Sequence, residues 1–304
     1  MSEVRCALWP AGQRDELRSA VTEGGGQVVD LPDANALIWT STSRADELAE
    51  VLRTHPDIRW VQLPFAGIEP FVEVLDHDRA WTCGKGVYAE PVAEHALALI
   101  LGGLRGIGRY ARQQGWSEPY GHNLLGAHVC IVGGGAITRS LVRLLLPFGT
   151  YLTVVRNRPD PIPGVAEVVG LDQLHRTLGE ADVVVLALAL TPETDRLLDA
   201  RALAAMRDDA LLVNVARGRH VDTDALVAAL EAGRLGGAAL DVTDPEPLPE
   251  GHPLWARDDV IVTPHVGNTP EMGIKLLWAR VRENVERFGR GEELLGPVHV
   301  ELGY

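Results

Sequence analysis

Six short apolar runs in the second half of the chain constrain its fold more than anything else in the sequence. They are HVCIV from His128, YLTVV from Tyr151, VVVLALAL from Val183, LLVNVA from Leu211, GGAALDV from Gly236 and VIVTPH from Val260. Each is continuously apolar rather than alternating, which predicts strands buried on both faces, and such strands belong to a parallel sheet covered by helices on each side. Helical patterns separate them. In the first third, VRCALW, ALIWT, WVQLP and AWTCG read as strands, while Ala45 to Leu52 and the stretch after Gly67 read as helices. The expected fold class is α/β, built as two doubly wound parallel-sheet domains.

The chain has 304 residues, the length of two domains. From Glu90 a helical pattern, PVAEHALALILGGLRGIGRYAR, has Pro only in its first turn and is expected to run as one long helix linking the domains. A last helix from about Pro270 to Arg290 follows the final strand of the second sheet. Its most economical use is to cross back, which gives residues 1–95 plus 272–304 as one domain and 96–271 as the other.

Charge and cysteine usage exclude several classes of function. There are 28 basic and 42 acidic residues, a formal net charge of −14, so nucleic acid and anionic membrane surfaces are not expected partners. Only Lys85 and Lys275 are lysines; the other cations are arginines, suited to bidentate recognition of carboxylate or phosphate. Cys6, Cys83 and Cys130 are too few and too scattered for a disulfide framework or a zinc site, and no metal is expected. No apolar run approaches the ~18 residues of a membrane span, and the N-terminal stretch does not read as a secretory signal. A cytoplasmic location is expected.

Residues 128–138 read H-V-C-I-V-G-G-G-A-I-T, a strand that runs into three glycines and then a helix. At such a turn Gly133 permits the sharp reversal and Gly135 lets the backbone approach a pyrophosphate, whose charge sits on the N–H groups of Ala136 and Ile137. A tight structural turn would also use glycines, but the strand before, the helix after and the strand that follows favour a dinucleotide site of the Rossmann type. Thr138 replaces the third glycine of the pattern and is expected to shift the helix slightly. The next strand ends at Arg156-Asn157-Arg158, where a carboxylate for the ribose hydroxyls of NAD usually stands. Arginines there suit a 2′-phosphate, so NADP is favoured over NAD; a solvated loop is the plainer alternative.

Three further strand ends carry polar residues, and ligands of open α/β sheets bind at strand C-termini. They are Arg217, before a helix start marked by Asp222; Asp241, followed by a proline-rich loop that carries Glu246; and His265, between Pro264 and Gly267. Singly, each has an ordinary structural explanation. Together, a histidine, a carboxylate to aim it and an arginine for an anionic substrate form a centre for hydride chemistry, because reducing a ketone requires a proton for the developing alkoxide.

V-A-R-G at 215–218, D-V-T-D-P-E-P-L at 241–248 and T-P-H-V-G at 263–267 closely resemble the D-isomer-specific 2-hydroxyacid dehydrogenase family. So do G-V-Y-A-E-P-V-A-E-H-A-L at 86–97 and L-T-P-E-T at 190–194. The resemblance implies a smaller flavodoxin-like substrate domain beside the Rossmann domain, and reduction of a small 2-keto acid to the D-2-hydroxy acid. Glyoxylate and hydroxypyruvate are the first candidate substrates. It further implies that Arg217 holds the substrate carboxylate and carbonyl, that Glu246 pairs with His265, and that His265 is the general acid/base. Thr191, Pro192, Ala216 and Asp241 would line the coenzyme, Asp241 at the nicotinamide carboxamide. The stretch V-Q-L-P-F-A-G-I-E at 61–69 resembles the substrate loop, with Ala66 and Gly67 offering N–H groups to the carboxylate, and Trp39 is expected among the substrate-binding residues. A homodimer formed through the second domain is expected. A dinucleotide-sensing, corepressor-like binding protein on the same fold is the alternative, and a hydrolase of the adenosylhomocysteine type a more distant one.

Overall fold

The computed structural model describes residues 3–10 and 15–301. The chain divides into two compact units, residues 1–88 with 269–304, and residues 89–268.

The first unit contains strands β1 (Arg5–Trp9), β2 (Gln27–Val28), β3 (Ala36–Trp39), β4 (Trp60–Gln62) and β5 (Ala80–Thr82), with helices α1 (Asp15–Glu23), α2 (Ala45–Thr54) and the last helix of the chain, α9 (Pro270–Arg290). All strands are parallel, in the order β2-β1-β3-β4-β5, which is the flavodoxin-like order. Edge strand β2 has one exposed and one half-buried residue and carries no apolar run, so sequence periodicity does not reveal it. After Gly67 the expected helix is a 3-10 helix, Glu69–Val74. With Pro70 at its start and only Phe71 buried, the segment has too little apolar face to hold an α-helix against the sheet.

A fully buried polar network joins the sheet of this unit to α9. The Trp60 indole donates to the Thr82 hydroxyl at 2.8 Å, which donates to Gln62 Oε1 at 2.8 Å. Asn284 of α9 donates to the same Oε1 and to the Leu295 carbonyl, both at 3.0 Å, and accepts from the Leu295 N–H at 2.8 Å. Every polar atom of this buried cluster that could be costly to strand has a partner.

The second unit begins with α3 (Ala89–Leu104) and α4 (Ile107–Arg112). The expected single helix is therefore broken, at Arg105-Gly106, where Gly106 takes φ +59°. The sheet follows: β6 (His128–Val132), β7 (Tyr151–Val155), β8 (Glu167–Val169), β9 (Val183–Leu186), β10 (Leu211–Asn214), β11 (Gly237–Leu240) and β12 (Val260–Val262). Helices α5 (Ala136–Leu145), α6 (Leu174–Glu180), α7 (Ala200–Ala205) and α8 (Thr223–Glu231) cover it. The order β8-β7-β6-β9-β10-β11-β12 is parallel throughout and reverses direction between β6 and β9. That is the dinucleotide-binding order extended by one strand, with its ligand crevice at the reversal.

Alternate residues of each strand feed two cores. Val184, Leu186, Leu212, Ala238 and Leu240 face the side holding α6, α7 and α8, while Val183, Val185, Leu211, Val213 and Ala239 face the side holding α3 and α5. Burial on both faces is why the sequence shows continuous apolar runs. The three cysteines are buried and unpaired, and burial pushes the thiols of Cys6 and Cys130 up to about 12. No helix among the described residues is long and apolar enough to cross a membrane.

Candidate active site

The turn after β6 has its shape dictated by contact. Gly133 has φ +114°, and a Cβ there would stand 2.1 Å from the Ala187 carbonyl oxygen at the end of β9, so only glycine fits at the reversal point. Gly135, the N-cap of α5, has φ −82° and open space where its Cβ would point. An ordered loop with an empty approach to helix N–H groups fits a pyrophosphate. Thr138, one turn into α5, is fully buried and its hydroxyl donates to the Gly133 carbonyl at 2.8 Å, so the residue that replaces the third glycine ties the helix back onto the turn.

Arg156, after β7, lies over this turn: a Cβ at Gly134 would come within 2.7 to 3.1 Å of its Cδ, Nε and Cζ atoms. Among the described residues, neither the Arg156 side chain nor that of the exposed Arg158 has a hydrogen-bond or ion-pair partner. Two uncommitted guanidinium groups on the loop after β7, Arg156 against the glycine turn, fit the phosphorylated ribose of NADP. Asn157 is exposed between them.

The loop after β9 carries Thr191 and Pro192, both reachable from solvent. It is cross-braced internally, because the Thr194 hydroxyl accepts from the Thr191 N–H at 2.8 Å and donates to the Ala189 carbonyl at 2.9 Å. Buried His220 bonds through Nδ1 to the Thr194 carbonyl at 2.9 Å, and burial lowers its basicity. This fastens the 191–194 loop to the turn that carries Arg217.

That turn follows β10. Asn214, almost fully buried at the strand end, accepts from the Ala216 N–H at 3.0 Å and donates to the Arg217 carbonyl at 2.9 Å. The half-buried Arg217 side chain donates from Nη1 to the Ala216 carbonyl at 2.7 Å. Behind it, a Cβ at Gly218 would sit 1.9 Å from the Thr243 carbonyl, so the Arg217 turn presses against the loop that leads to Glu246.

His265 and Glu246 meet. Nδ1 of His265 is 2.7 Å from Glu246 Oε1, both side chains are about half exposed at 50% and 44%, and Nε2 has no partner among the described residues. The histidine has φ +54°, a left-handed conformation that costs a non-glycine residue energy and persists only where neighbours enforce it. Here its N–H donates to the Asp241 carbonyl at 2.8 Å and to the Thr263 carbonyl at 3.0 Å. The buried Asp241 carboxylate then gathers the rest of the turn. Oδ1 accepts from the Thr263 hydroxyl at 2.6 Å and the Val266 N–H at 2.9 Å, and lies 3.2 Å from His95 Nε2; Oδ2 accepts from the Gly267 N–H at 2.9 Å. Burial alone would raise the Asp241 pKa, but the donors from His95, Thr263, Val266 and Gly267 together outweigh it and hold the carboxyl at about 2. His95 and Thr263 were not singled out in the sequence. Their positions inside two of the quoted motifs, His95 within 86–97 and Thr263 within 263–267, were the only hints at a role.

In the first unit, Ala66 is exposed and Gly67 half-buried, and among the described residues the N–H groups of both lack an acceptor. Trp39 departs from expectation. It is fully buried in the core, with its indole N–H 3.3 Å from the Ser43 carbonyl, and so supports the loop after β3 rather than lining a surface. A large apolar ring at a strand end gains more from the core than from solvent contact. Among the described residues no cluster of His, Cys, Asp and Glu is placed to hold a metal ion.

Residues 97–267 match the family model of the D-isomer specific 2-hydroxyacid dehydrogenase, NAD binding domain. The "uncharacterized protein in proB 3′ region" of Corynebacterium melassecola is 38% identical over 299 residues, covering 95% of this chain and 97% of that one. Glyoxylate/hydroxypyruvate reductase A of Serratia proteamaculans is 29% identical over 312 residues, covering 97% and 96%. A D-isomer specific 2-hydroxyacid dehydrogenase from Xanthobacter autotrophicus Py2, solved in complex with NADPH and MES, superposes with a TM-score of 0.87 at 27% identity over 100% of both chains. With the glycine turn, the strand order and the His265–Glu246 pair already in place, this chain belongs to the D-isomer-specific 2-hydroxyacid dehydrogenase family of NAD(P)-dependent oxidoreductases.

Proposed function

We propose that the protein reduces a small 2-keto acid, with glyoxylate and hydroxypyruvate as the first candidates, to the corresponding D-2-hydroxy acid, using NADPH in preference to NADH. The observation that carries this reading is His265, whose Nδ1 is engaged by Glu246 at 2.7 Å while Nε2 is left open at the C-terminal edge of the sheet. Relatives named glyoxylate/hydroxypyruvate reductase, one of them covering almost the whole chain, support the substrate class.

The bound dinucleotide supplies the hydride. Arg217 holds the substrate carboxylate and polarises the keto oxygen, since a guanidinium fork matches a carboxylate geometrically. With Nδ1–H held by Glu246, His265 acts as the imidazolium: Nε2–H faces the substrate and gives its proton to the oxygen as negative charge develops there, leaving the neutral ring protonated at Nδ1. In the reverse direction the same nitrogen takes the proton from the hydroxyl. Asp241 Oδ2, with only the Gly267 N–H upon it, keeps acceptor capacity for the nicotinamide carboxamide. On the first unit, the unpartnered N–H groups of Ala66 and Gly67 are the candidate backbone donors for a carboxylate.

Arg156 and Arg158 carry the preference for NADPH, and the NADPH complex of the Xanthobacter relative supports it. A protein that only sensed dinucleotide would have no need of a His265–Glu246 pair. We further propose a homodimer formed through the second unit, where Trp116, Leu125 and Ile107 are 104%, 68% and 57% exposed. Apolar exposure of that extent on a folded domain marks an interface. The buried, unpaired cysteines suit a reducing compartment, the cytoplasm.

The test is NADPH and NADH oxidation measured with glyoxylate, hydroxypyruvate and larger 2-keto acids. Turnover of a small keto acid with NADPH is expected; binding of NADPH without oxidation by any keto acid would overturn the reading. Sedimentation of wild type as a dimer and of Trp116→Ser with Leu125→Ser as a monomer is the expected result for the assembly.

A further inference from the structure

His95 stands on the second turn of α3, far in sequence from the residues discussed as catalytic, yet its Nε2 is 3.0 Å from the Thr263 hydroxyl and 3.2 Å from Asp241 Oδ1. The Thr263 hydroxyl has one proton, and it is committed to Asp241 Oδ1 at 2.6 Å. The contact between Thr263 and His95 therefore requires Nε2–H of His95 to be the donor, which fixes where the proton of that ring sits. Thr263 and Val266 flank the left-handed His265, and Asp241 bonds to both. His95 is thus the outermost member of a chain, from His95 through Thr263 and Asp241 to the 263–267 turn.

We propose that His95 is a positioning residue for His265, anchoring to helix α3 the Thr263–Asp241 cluster that forces the left-handed turn and thereby aims the imidazole. The inference rests on the reading of His265 as the acid/base group. His95 touches no reacting atom in this scheme. It completes the hydrogen bonding of a buried carboxylate and a hydroxyl, and a turn with φ +54° at a histidine holds its shape only if such surroundings over-determine it. Without His95 the Thr263 hydroxyl loses its donor and Asp241 loses one of the donors that stabilise it, so the turn can relax toward ordinary backbone geometry.

The test compares His95→Ala, His95→Gln and Thr263→Val with wild type in the full-length protein. Steady-state kinetics are measured with NADPH and the best keto acid, and nuclear magnetic resonance of the His265 ring is recorded in 15N-histidine-labelled protein, the signals being assigned from His265→Asn. Misplacing a catalytic group by ångström-scale shifts costs up to about 100-fold in rate, so kcat of His95→Ala is expected to fall by about 10- to 100-fold, with KM values little changed. The His265 ring signals are expected to move. Glutamine, whose amide N–H can stand where Nε2–H stood, is expected to restore most of the turnover and the original signals, whereas Thr263→Val should behave like His95→Ala. Folded variants with wild-type kcat and unmoved His265 signals would overturn the proposal; if His95→Ala does not fold, Thr263→Val and His95→Gln decide by the same two readouts. Should wild type reduce no keto acid, moved His265 signals would still uphold the positioning while the functional reading fails.

Discussion

Glu246 Oε1 and His265 Nδ1 face each other at 2.7 Å although 19 residues separate them, the one at the tip of a proline-rich loop and the other at a strand end. The pairing leaves a single imidazole nitrogen for chemistry. His265→Asn is expected to lower kcat by about 10²–10⁴-fold while NADPH still binds, because general acid–base groups contribute on that scale. Glu246→Gln should cost less, since the ring remains and only its orientation and charge support are reduced. Stopped-flow and steady-state assays of NADPH oxidation check both.

The glycine turn separates structural from binding roles. Gly133→Ala must adopt φ +114° and collide with the Ala187 carbonyl, so a loss of more than about 2 kcal/mol in stability is expected. Gly135→Ala meets no atom and has an ordinary φ, so its stability should stay within about 0.5 kcal/mol of wild type. Its methyl group would occupy the pyrophosphate approach, and NADPH affinity should fall. Urea unfolding and fluorescence titration with NADPH distinguish the two outcomes.

Arg156 is the stronger candidate of the two arginines after β7, because it already lies against Gly134. Charge-assisted hydrogen bonds are worth about 1.5–3 kcal/mol, so Arg156→Ala should weaken NADPH by about 10- to 100-fold and leave NADH nearly unchanged. Arg156→Asp should reverse the preference. Equal losses for both dinucleotides in a binding titration would contradict the assignment.

Asp241 is ionised more readily in the folded protein, at about 2, than in the unfolded chain, whose aspartates titrate at about 3.9. A group with a depressed folded pKa stabilises at pH above its unfolded value, and that contribution is lost as pH falls from about 4 toward 2. It amounts to about 2 kcal/mol. Wild type should therefore exceed Asp241→Asn in stability by a constant margin above pH about 5, and the margin should shrink below pH about 4 in urea unfolding.

Much of this was legible in residues whose burial and chemistry agree locally. The strands of the second unit announced themselves because Val183 to Leu186 and Leu211 to Asn214 are buried on both faces, and the glycine turn because its conformation leaves no other choice. What escaped was set by tertiary contact. The edge strand β8, Glu-Val-Val, is half-buried and too short to carry a period. The break at Gly106 lies inside a run with no proline to mark it. Trp39 follows three buried residues in β3 and continues into the core, whereas a reading by motif alone put it among the substrate-binding residues. His95 met its partners across 146 and 168 residues of sequence, at Asp241 and Thr263, a separation that no local pattern encodes.

The Asn284 network has a consequence for the order in which the protein can be made. Residues 89–268 form a contiguous unit that has all its strands once they leave the ribosome. The first unit, although its synthesis starts earlier, lacks α9 and the Leu295 backbone until the whole of residues 89–268 has been made, and Gln62 and Thr82 have no Asn284 to complete their cluster until then. Domains fold as units during synthesis, so the dinucleotide-binding unit is expected to close before the first unit, whose N-terminal segment waits for α9.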